Sequence, residues 1–317
     1  MNSTSSPASV LAPTRDVTAT PRGVVMSRLV DYGELVKPRI SLMVLLTVTV
    51  GYVLGSRGDW LFGSLWPTLT GIALVAFGSS AVNQVFERDT DALMRRTASR
   101  PIPSGRLTVG EAFWFGVSSA AAGALVLVMF ANLTTALLSL LTLGLYVMAY
   151  TPLKRVTSLS TAVGAIPGAL PPVLGWTAAG GTLSVEAFSL FATLFLWQFP
   201  HFLAIGWLYR EDYEAAGLRM LPAVTRCRGT RGIVGCQALA YALALLPASL
   251  LPAEVGIAGS AFGGIAIALG LMYIAATVMF ACEESTRSAR RLLWVSLIYL
   301  PLWLLALVGD HWHLLSS

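Results

Sequence analysis

Three oxygen-bearing side chains, Asn83, Glu87 and Asp91, recur every four residues in the stretch Asn83-Gln-Val-Phe-Glu87-Arg-Asp89-Thr-Asp91. On a helix that spacing sets all three along one face, spread over about 12 Å. A row of hard oxygen ligands suits Mg²⁺, which binds through one or two carboxylates, keeps several waters and completes its shell with substrate phosphate. Arginines follow directly at Arg95, Arg96 and Arg100, and guanidinium groups match the phosphate oxygens that a metal leaves free. A solvated loop whose charges only set topology would use the same residue types. The position argues for a site, because the cluster ends an apolar run from Leu65 to Val85, where carboxylates are costly and tend to be functional.

These residues need an apolar scaffold, and the composition supplies one. The 317 residues are 56% hydrophobic and 12% charged, with a mean hydropathy of +0.72. That balance excludes an ordinary soluble domain and implies an all-α integral membrane protein. The net charge of +5 is not a nucleic-acid footprint, because the basic residues lie between apolar segments and not on a basic domain. Cys227, Cys236 and Cys282 are odd in number and lack metal-ligand spacing, so free thiols are expected.

Residues 1–27 are rich in Ser, Thr, Pro and Ala and read as a flexible tail without a signal peptide. The few arginines and the single acid Asp16 also fit a mitochondrial transit peptide, but the weaker of the two readings is that one. From 28 to 317 the chain reads as one membrane domain. Apolar segments of bilayer length fall at about 38–56, 65–86, 111–131, 133–151, 159–179, 186–208, 233–252, 256–280 and 292–309. Nine spans are therefore expected, with Asn132-Leu-Thr134-Thr135 the weakest break and Pro38 in the first turn of the first span.

The basic residues test this count. Twenty of the 21 Lys and Arg precede the first span or follow the second, fourth, sixth and eighth, and only Arg57 falls on the other side. By the positive-inside rule the N-terminus and both acidic stretches face the cytoplasm, and the C-terminus lies outside. The second acidic stretch is Tyr209-Arg210-Glu211-Asp212-Tyr213-Glu214. Each stretch follows the second helix of a block of about four, which points to an internal duplication with both loops roofing a cavity between the halves.

The run Asn83…Glu87…Asp91 with Met94-Arg95-Arg96-Thr97…Arg100-Pro101 resembles the first signature of the UbiA superfamily of intramembrane prenyltransferases, in the form carried by its haem branch. The resemblance extends over most of the chain. It takes in Lys37-Pro38-Arg39-Ile40, Tyr150-Thr151-Pro-Leu-Lys154-Arg155, Gly168-Ala-Leu-Pro171-Pro172…Gly175-Trp176, Trp197-Gln198-Phe-Pro200-His201-Phe202 and Tyr209-Arg-Glu-Asp212-Tyr213…Gly217…Met220-Leu221-Pro222. Many relatives carry two aspartates four apart in the second stretch; here Tyr209 and Tyr213 hold those places, which leaves a second Mg²⁺ in doubt and leaves Asp212 free to orient a basic group in the roof.

The resemblance implies a nine-helix UbiA-type bundle enclosing a central cavity, with Mg²⁺ as cofactor and farnesyl diphosphate and haem B as substrates. It implies farnesyl transfer to a porphyrin vinyl group with addition of water. Asn83, Glu87 and Asp91 would hold the metal, and Arg96, Arg100, Lys154 and Arg155 would neutralise the diphosphate. Topogenic charge alone is the other reading of these four, and the weaker one for Lys154 and Arg155, which match the family pattern. Lys37, Tyr150, Trp197, His201, Tyr209, Asp212 and Tyr213 are the expected substrate contacts. His201 is the one histidine inside an apolar span and stands as a haem contact or a hydrogen-bonded core residue; Tyr146 and Tyr150 face the cavity or the membrane interface. A bacterial cytoplasmic membrane is the expected location and a haem A synthase the expected downstream partner. A quinone or chlorin prenyltransferase and a secondary transporter are the alternatives; a transporter would keep its ionisable residues near mid-bilayer, whereas these gather at one face.

Overall fold

The computed structural model describes residues 21–56, 58, 62–227, 229 and 232–316. Of the expected flexible tail, residues 1–20 lie outside the described residues, and the remainder enters helix α1 (Pro21–Leu35). The helices that follow are α2 (Pro38–Ser56), α3 (Phe62–Leu93), α4 (Val109–Phe130) and α5 (Leu133–Leu153). Next come α6 (Ser160–Ala169), α7 (Pro171–Ala178), α8 (Val185–Leu208), α9 (Arg210–Ala215) and α10 (Leu221–Cys227). The chain closes with α11 (Ile233–Glu254), α12 (Ser260–Glu283) and α13 (Thr286–Ser316).

Eight of these helices are long and apolar enough to cross a membrane among the described residues. The ninth expected span is present as the pair α6 and α7, broken at Leu170 between Pro167 and Pro171. Leu170 itself keeps helical dihedrals at φ −75° and ψ −26°, but Pro171 and Pro172 have no amide proton to continue the hydrogen-bond ladder, so the span is divided there. The weak break at 132 is real: Asn132 is extended, and its side chain accepts the Thr135 amide at 2.8 Å as an N-cap of α5. Its own amide donates to the Thr177 carbonyl at 2.7 Å, which ties the break to α7. At the opposite end of the bundle a Thr108–Glu111 capping box starts α4.

Helix contact relies on small residues, as expected where lipid removes the hydrophobic drive for association. A Cβ on Gly51 of α2 would overlap the Pro172 carbonyl of α7, and a Cβ on Gly175 of α7 would overlap the Val48 carbonyl of α2. The two backbones therefore touch at glycine on both sides. The largest apolar cluster joins α8, α11, α12 and α13 around Phe262, Tyr273, Phe280, Tyr299 and Trp303. All three cysteines are free and exposed, as their spacing implied.

Candidate active site

Helix α3 does not stop at the end of its apolar run; it continues to Leu93 and carries the polar stripe through its last three turns. Asn83 and Asp91 are fully buried and Glu87 is nearly so, whereas Arg88 and Asp89 on the other face are exposed and pair with each other. The stripe faces the interior.

Each member of the stripe meets a different cation. Lys37 Nζ donates to Asn83 Oδ1 at 3.2 Å. Lys154 Nζ donates to Glu87 Oε1 at 2.6 Å. Arg100 Nη1 donates to Asp91 Oδ2 at 2.6 Å. These are charge-assisted contacts among largely buried groups, where unpaired charge would be costly. The three cations come from three separate segments, so the cluster ties together the α1–α2 junction, the loop after α3 and the end of α5.

Local structure accounts for each placement. Lys37 occupies the left-handed region at φ 50°, directly before Pro38, a conformation uncommon for a non-glycine residue and one found at functional sites. Burial, reinforced by Arg100, pushes its ammonium down to about 8. Arg100 returns to Asp91 because the chain turns tightly after α3: Thr97 and Ala98 amides both donate to the Met94 carbonyl, and the Thr97 hydroxyl donates to the Asp91 carbonyl at 2.9 Å. Lys154 follows a π-helical turn, Leu145–Tyr150, within α5. Its ammonium sits 4.2 Å above the Tyr150 ring. Burial opposes its charge, and Tyr150 and Glu87 more than offset that, so it is held above the ordinary lysine range.

The π-turn also supplies a residue to which the sequence reading gave no role. Thr151 donates its hydroxyl proton to the Tyr146 carbonyl at 2.8 Å and accepts the Asn83 side-chain amide at 2.9 Å. Because the hydroxyl proton is committed, the amide nitrogen of Asn83 must face Thr151 and its oxygen must face Lys37. The only sequence signal was the position of Thr151 inside the quoted Tyr150-to-Arg155 run.

Among the described residues no three of Asp, Glu, His and Cys gather into a metal cage. The stripe offers two carboxylates and one amide oxygen, a hard donor set. Asp91 Oδ1 is buried and has no hydrogen-bond partner, so it retains a lone pair aimed at no donor. That orphaned oxygen fits a cation ligand.

The second acidic loop closes over the first. Arg95 Nε donates to Asp212 at 3.3 Å, and the Arg96 guanidinium lies 4.8 Å over the Tyr209 ring. Tyr213 packs with Met94, Ala216, Leu218 and Met220. Burial pushes the Tyr213 phenol up, against the opposing charge of Arg96. An open cavity of about 440 Å³ lies between the loops. The Arg219 amide, donating to the Lys154 carbonyl at 2.7 Å, is a further tie.

Other expected site residues lie elsewhere. Arg155 is exposed, and among the described residues its side chain reaches the Phe86 carbonyl, at 3.4 Å, and not the stripe. Arg96 meets Tyr209 and not the stripe. Trp197 and His201 stack on each other on the side of α8 that meets α13, where Trp197 Nε1 donates to the Ser296 carbonyl at 3.0 Å. His201 Nδ1 lies 2.8 Å from Ser296 Oγ, whose own proton goes to the Leu293 carbonyl at 2.6 Å.

The profile of the UbiA prenyltransferase family matches residues 44–298. The chain is 45% identical over 282 residues to a protoheme IX farnesyltransferase of Solibacter usitatus, covering 86% of this chain and 95% of that protein. It is 43% identical over 295 residues to the protoheme IX farnesyltransferase of Koribacter versatilis, covering 90% and 94%. In fold it is similar to a digeranylgeranylglyceryl phosphate synthase structure, with a TM-score of 0.76 at 17% identity over 90% of this chain and 99% of the other. It is also similar to a UbiA homologue from Archaeoglobus fulgidus bound to GPP and Mg²⁺, with a TM-score of 0.63 at 16% identity over 90% of this chain and 100% of the other.

Proposed function

The chain belongs to the UbiA prenyltransferase family, and from that premise we propose that it joins the farnesyl group of farnesyl diphosphate to a vinyl group of haem B. Water adds as the hydroxyl, so haem B, farnesyl diphosphate and water give haem O and pyrophosphate. A single observation carries the site assignment: Asn83, Glu87 and Asp91 each hold one cation from a different segment, with one Asp91 oxygen left without a partner.

Asn83, Glu87 and Asp91 would hold Mg²⁺, which when bound acts as a Lewis acid on the pyrophosphate leaving group. Lys37, Arg100 and Lys154 then turn from the stripe to the diphosphate oxygens, supplying positive charge where negative charge develops as the allylic C–O bond breaks. Tyr150 keeps the Lys154 ammonium in place through its ring face. The two loops, joined by Arg95 and Asp212 and packed through Met94 and Tyr213, limit access of bulk water to the allylic cation. Apolar helix surface takes the farnesyl tail, and Trp197 and His201 are proposed porphyrin contacts on α8.

We further infer that the enzyme sits in a bacterial cytoplasmic membrane, and the basic-residue distribution supports both loops being on its cytoplasmic side. A haem A synthase would use its product. Incubating the full chain in detergent with haem B and farnesyl diphosphate, with and without Mg²⁺, tests the reading by mass spectrometry of the porphyrin. Addition of farnesyl plus water, dependent on Mg²⁺, is expected; unmodified haem with pyrophosphate retained on the prenyl donor would refute it.

A further inference from the structure

The open cavity between the loops is walled by Arg95, Arg96, Leu208, Tyr209, Glu211 and Asp212. Both of its carboxylates are engaged: Asp212 by Arg95 at 3.3 Å and Glu211 by Arg226 at 3.0 Å. Arg96 has no carboxylate partner among the described residues, and its contact is the face of Tyr209. Arg95 stands beside it with a side chain 85% exposed, and only its Nε is used by Asp212. A guanidinium held over an aromatic face keeps N–H donors for a carboxylate, and Leu208 and the tyrosine ring offer apolar surface beside it.

We propose that this rim cavity binds the carboxylate edge of the porphyrin, with Arg96 as the anchor of a propionate and Arg95 beside it. The proposal rests on haem B being the acceptor, and it assigns Arg96 to the porphyrin and not to the diphosphate. Position along the chain supports it. Asn83 and Asp91 lie within α3 and the two arginines directly follow the helix end at Leu93, so the rim stands about one turn beyond Asp91 and more than about 12 Å beyond Asn83 along the helix direction. The propionates of haem B share one edge of the macrocycle, and a vinyl group lies towards the opposite edge. Holding the charged edge at the rim turns that vinyl inward, towards the cluster of Lys37, Arg100 and Lys154 where the allylic diphosphate ionises. The arrangement also leaves the propionates near water, without the desolvation cost of burying two charges.

Absorbance titration of the full chain in detergent with haem B and with its dimethyl ester tests this, because esterification removes only the charged edge. The wild type is expected to bind haem B roughly tenfold or more tightly than the diester, as the loss of a charge-assisted hydrogen bond implies. Arg96→Ala should remove most of that preference, Arg96→Lys should restore part of it, and the KM that rises should be that for haem B and not that for farnesyl diphosphate. Equal binding of both porphyrins by the wild type overturns the proposal, as does a preference that survives Arg96→Ala combined with Arg95→Ala. A raised KM for farnesyl diphosphate with the preference intact also overturns it and gives Arg96 to the diphosphate. Should the wild type bind neither porphyrin, the haem acceptor itself falls, a result distinct from loss of the propionate preference alone.

Discussion

The side-chain amide of Asn83 donates to the Thr151 hydroxyl at 2.9 Å, and that hydroxyl donates its own proton to the Tyr146 carbonyl, which also accepts the Thr151 backbone amide in the π-turn of α5. Thr151 thereby fixes which end of the amide faces the cations. Thr151→Val keeps the shape and removes the acceptor, leaving a buried amide unpaired. The midpoint for Mg²⁺ in pyrophosphate-dependent thermal stabilisation should rise about tenfold or more, the usual effect of losing a group that orients a ligand. Thr151→Ser should stay near wild type. An unchanged midpoint in the valine variant would reduce Thr151 to a packing residue.

Asp91 has one oxygen on Arg100 and the other without a partner. Asp91→Asn and Glu87→Gln preserve volume but weaken the donor set, and each should lower turnover by about two to three orders of magnitude, as for the loss of a major electrostatic group. Haem B affinity, read by absorbance, should change little. Removing Mg²⁺ with EDTA should reproduce the turnover loss in the wild type and add nothing in the variants. Equal loss of haem binding would count against the separate placement of metal and porphyrin.

Burial and the nearby Arg100 lower the Lys37 ammonium to about 8. A depressed lysine is charged below that value and neutral above it, so its attraction for diphosphate weakens as pH rises through about 8. The KM for farnesyl diphosphate should therefore climb between about pH 7.5 and 9 in the wild type. Lys37→Arg, charged throughout, should flatten that rise. A wild-type KM constant across the range would show that Lys37 does not contact the diphosphate.

His201 Nδ1 faces a Ser296 hydroxyl whose proton is already given to the Leu293 carbonyl. Nδ1 must then carry the hydrogen, which leaves Nε2 as the lone-pair nitrogen. His201→Ala should weaken haem B binding and shift its visible spectrum, and Ser296→Ala should produce a smaller shift of the same kind by releasing the tautomer. If both spectra match wild type, His201 is a core residue joining α8 to α13.

The stripe on α3 was legible because three oxygen side chains at helical spacing stand out in an apolar chain, and apolar runs of bilayer length located the spans. The partners of the stripe were not legible. Lys37 lies 46 residues from Asn83 and Lys154 lies 67 from Glu87, and no local periodicity links such positions. Arg96 and Arg100 look equivalent in sequence; only the tight turn after Met94 decides that Arg100 comes back to Asp91 while Arg96 goes to Tyr209. The division of the fifth span was written in Pro167, Pro171 and Pro172, whereas the π-turn that presents Thr151 has no comparable signature, since its residues Leu145 to Tyr150 are ordinary helix formers and aromatics.

Gly51 and Gly175 meet the backbone of the opposing helix, with Pro172 and Val48 carbonyls where a methyl group would go. Backbone cannot rotate aside as a flexible side chain can, so Gly175→Ala must push α7 away from α2. Overpacking of this kind costs about 1–3 kcal/mol, and the apparent Tm in detergent should fall by several degrees. Gly264→Ala, in α12 with nothing within 4 Å of its added carbon, should leave the Tm unchanged or slightly higher. Because α2 begins at Pro38, directly after Lys37, displacing it also moves one cation of the cluster. Gly175→Ala should therefore raise the KM for farnesyl diphosphate more than that for haem B. A fall in Tm with both KM values unchanged would show that the α2–α7 contact sets stability alone and that Lys37 is positioned by α1.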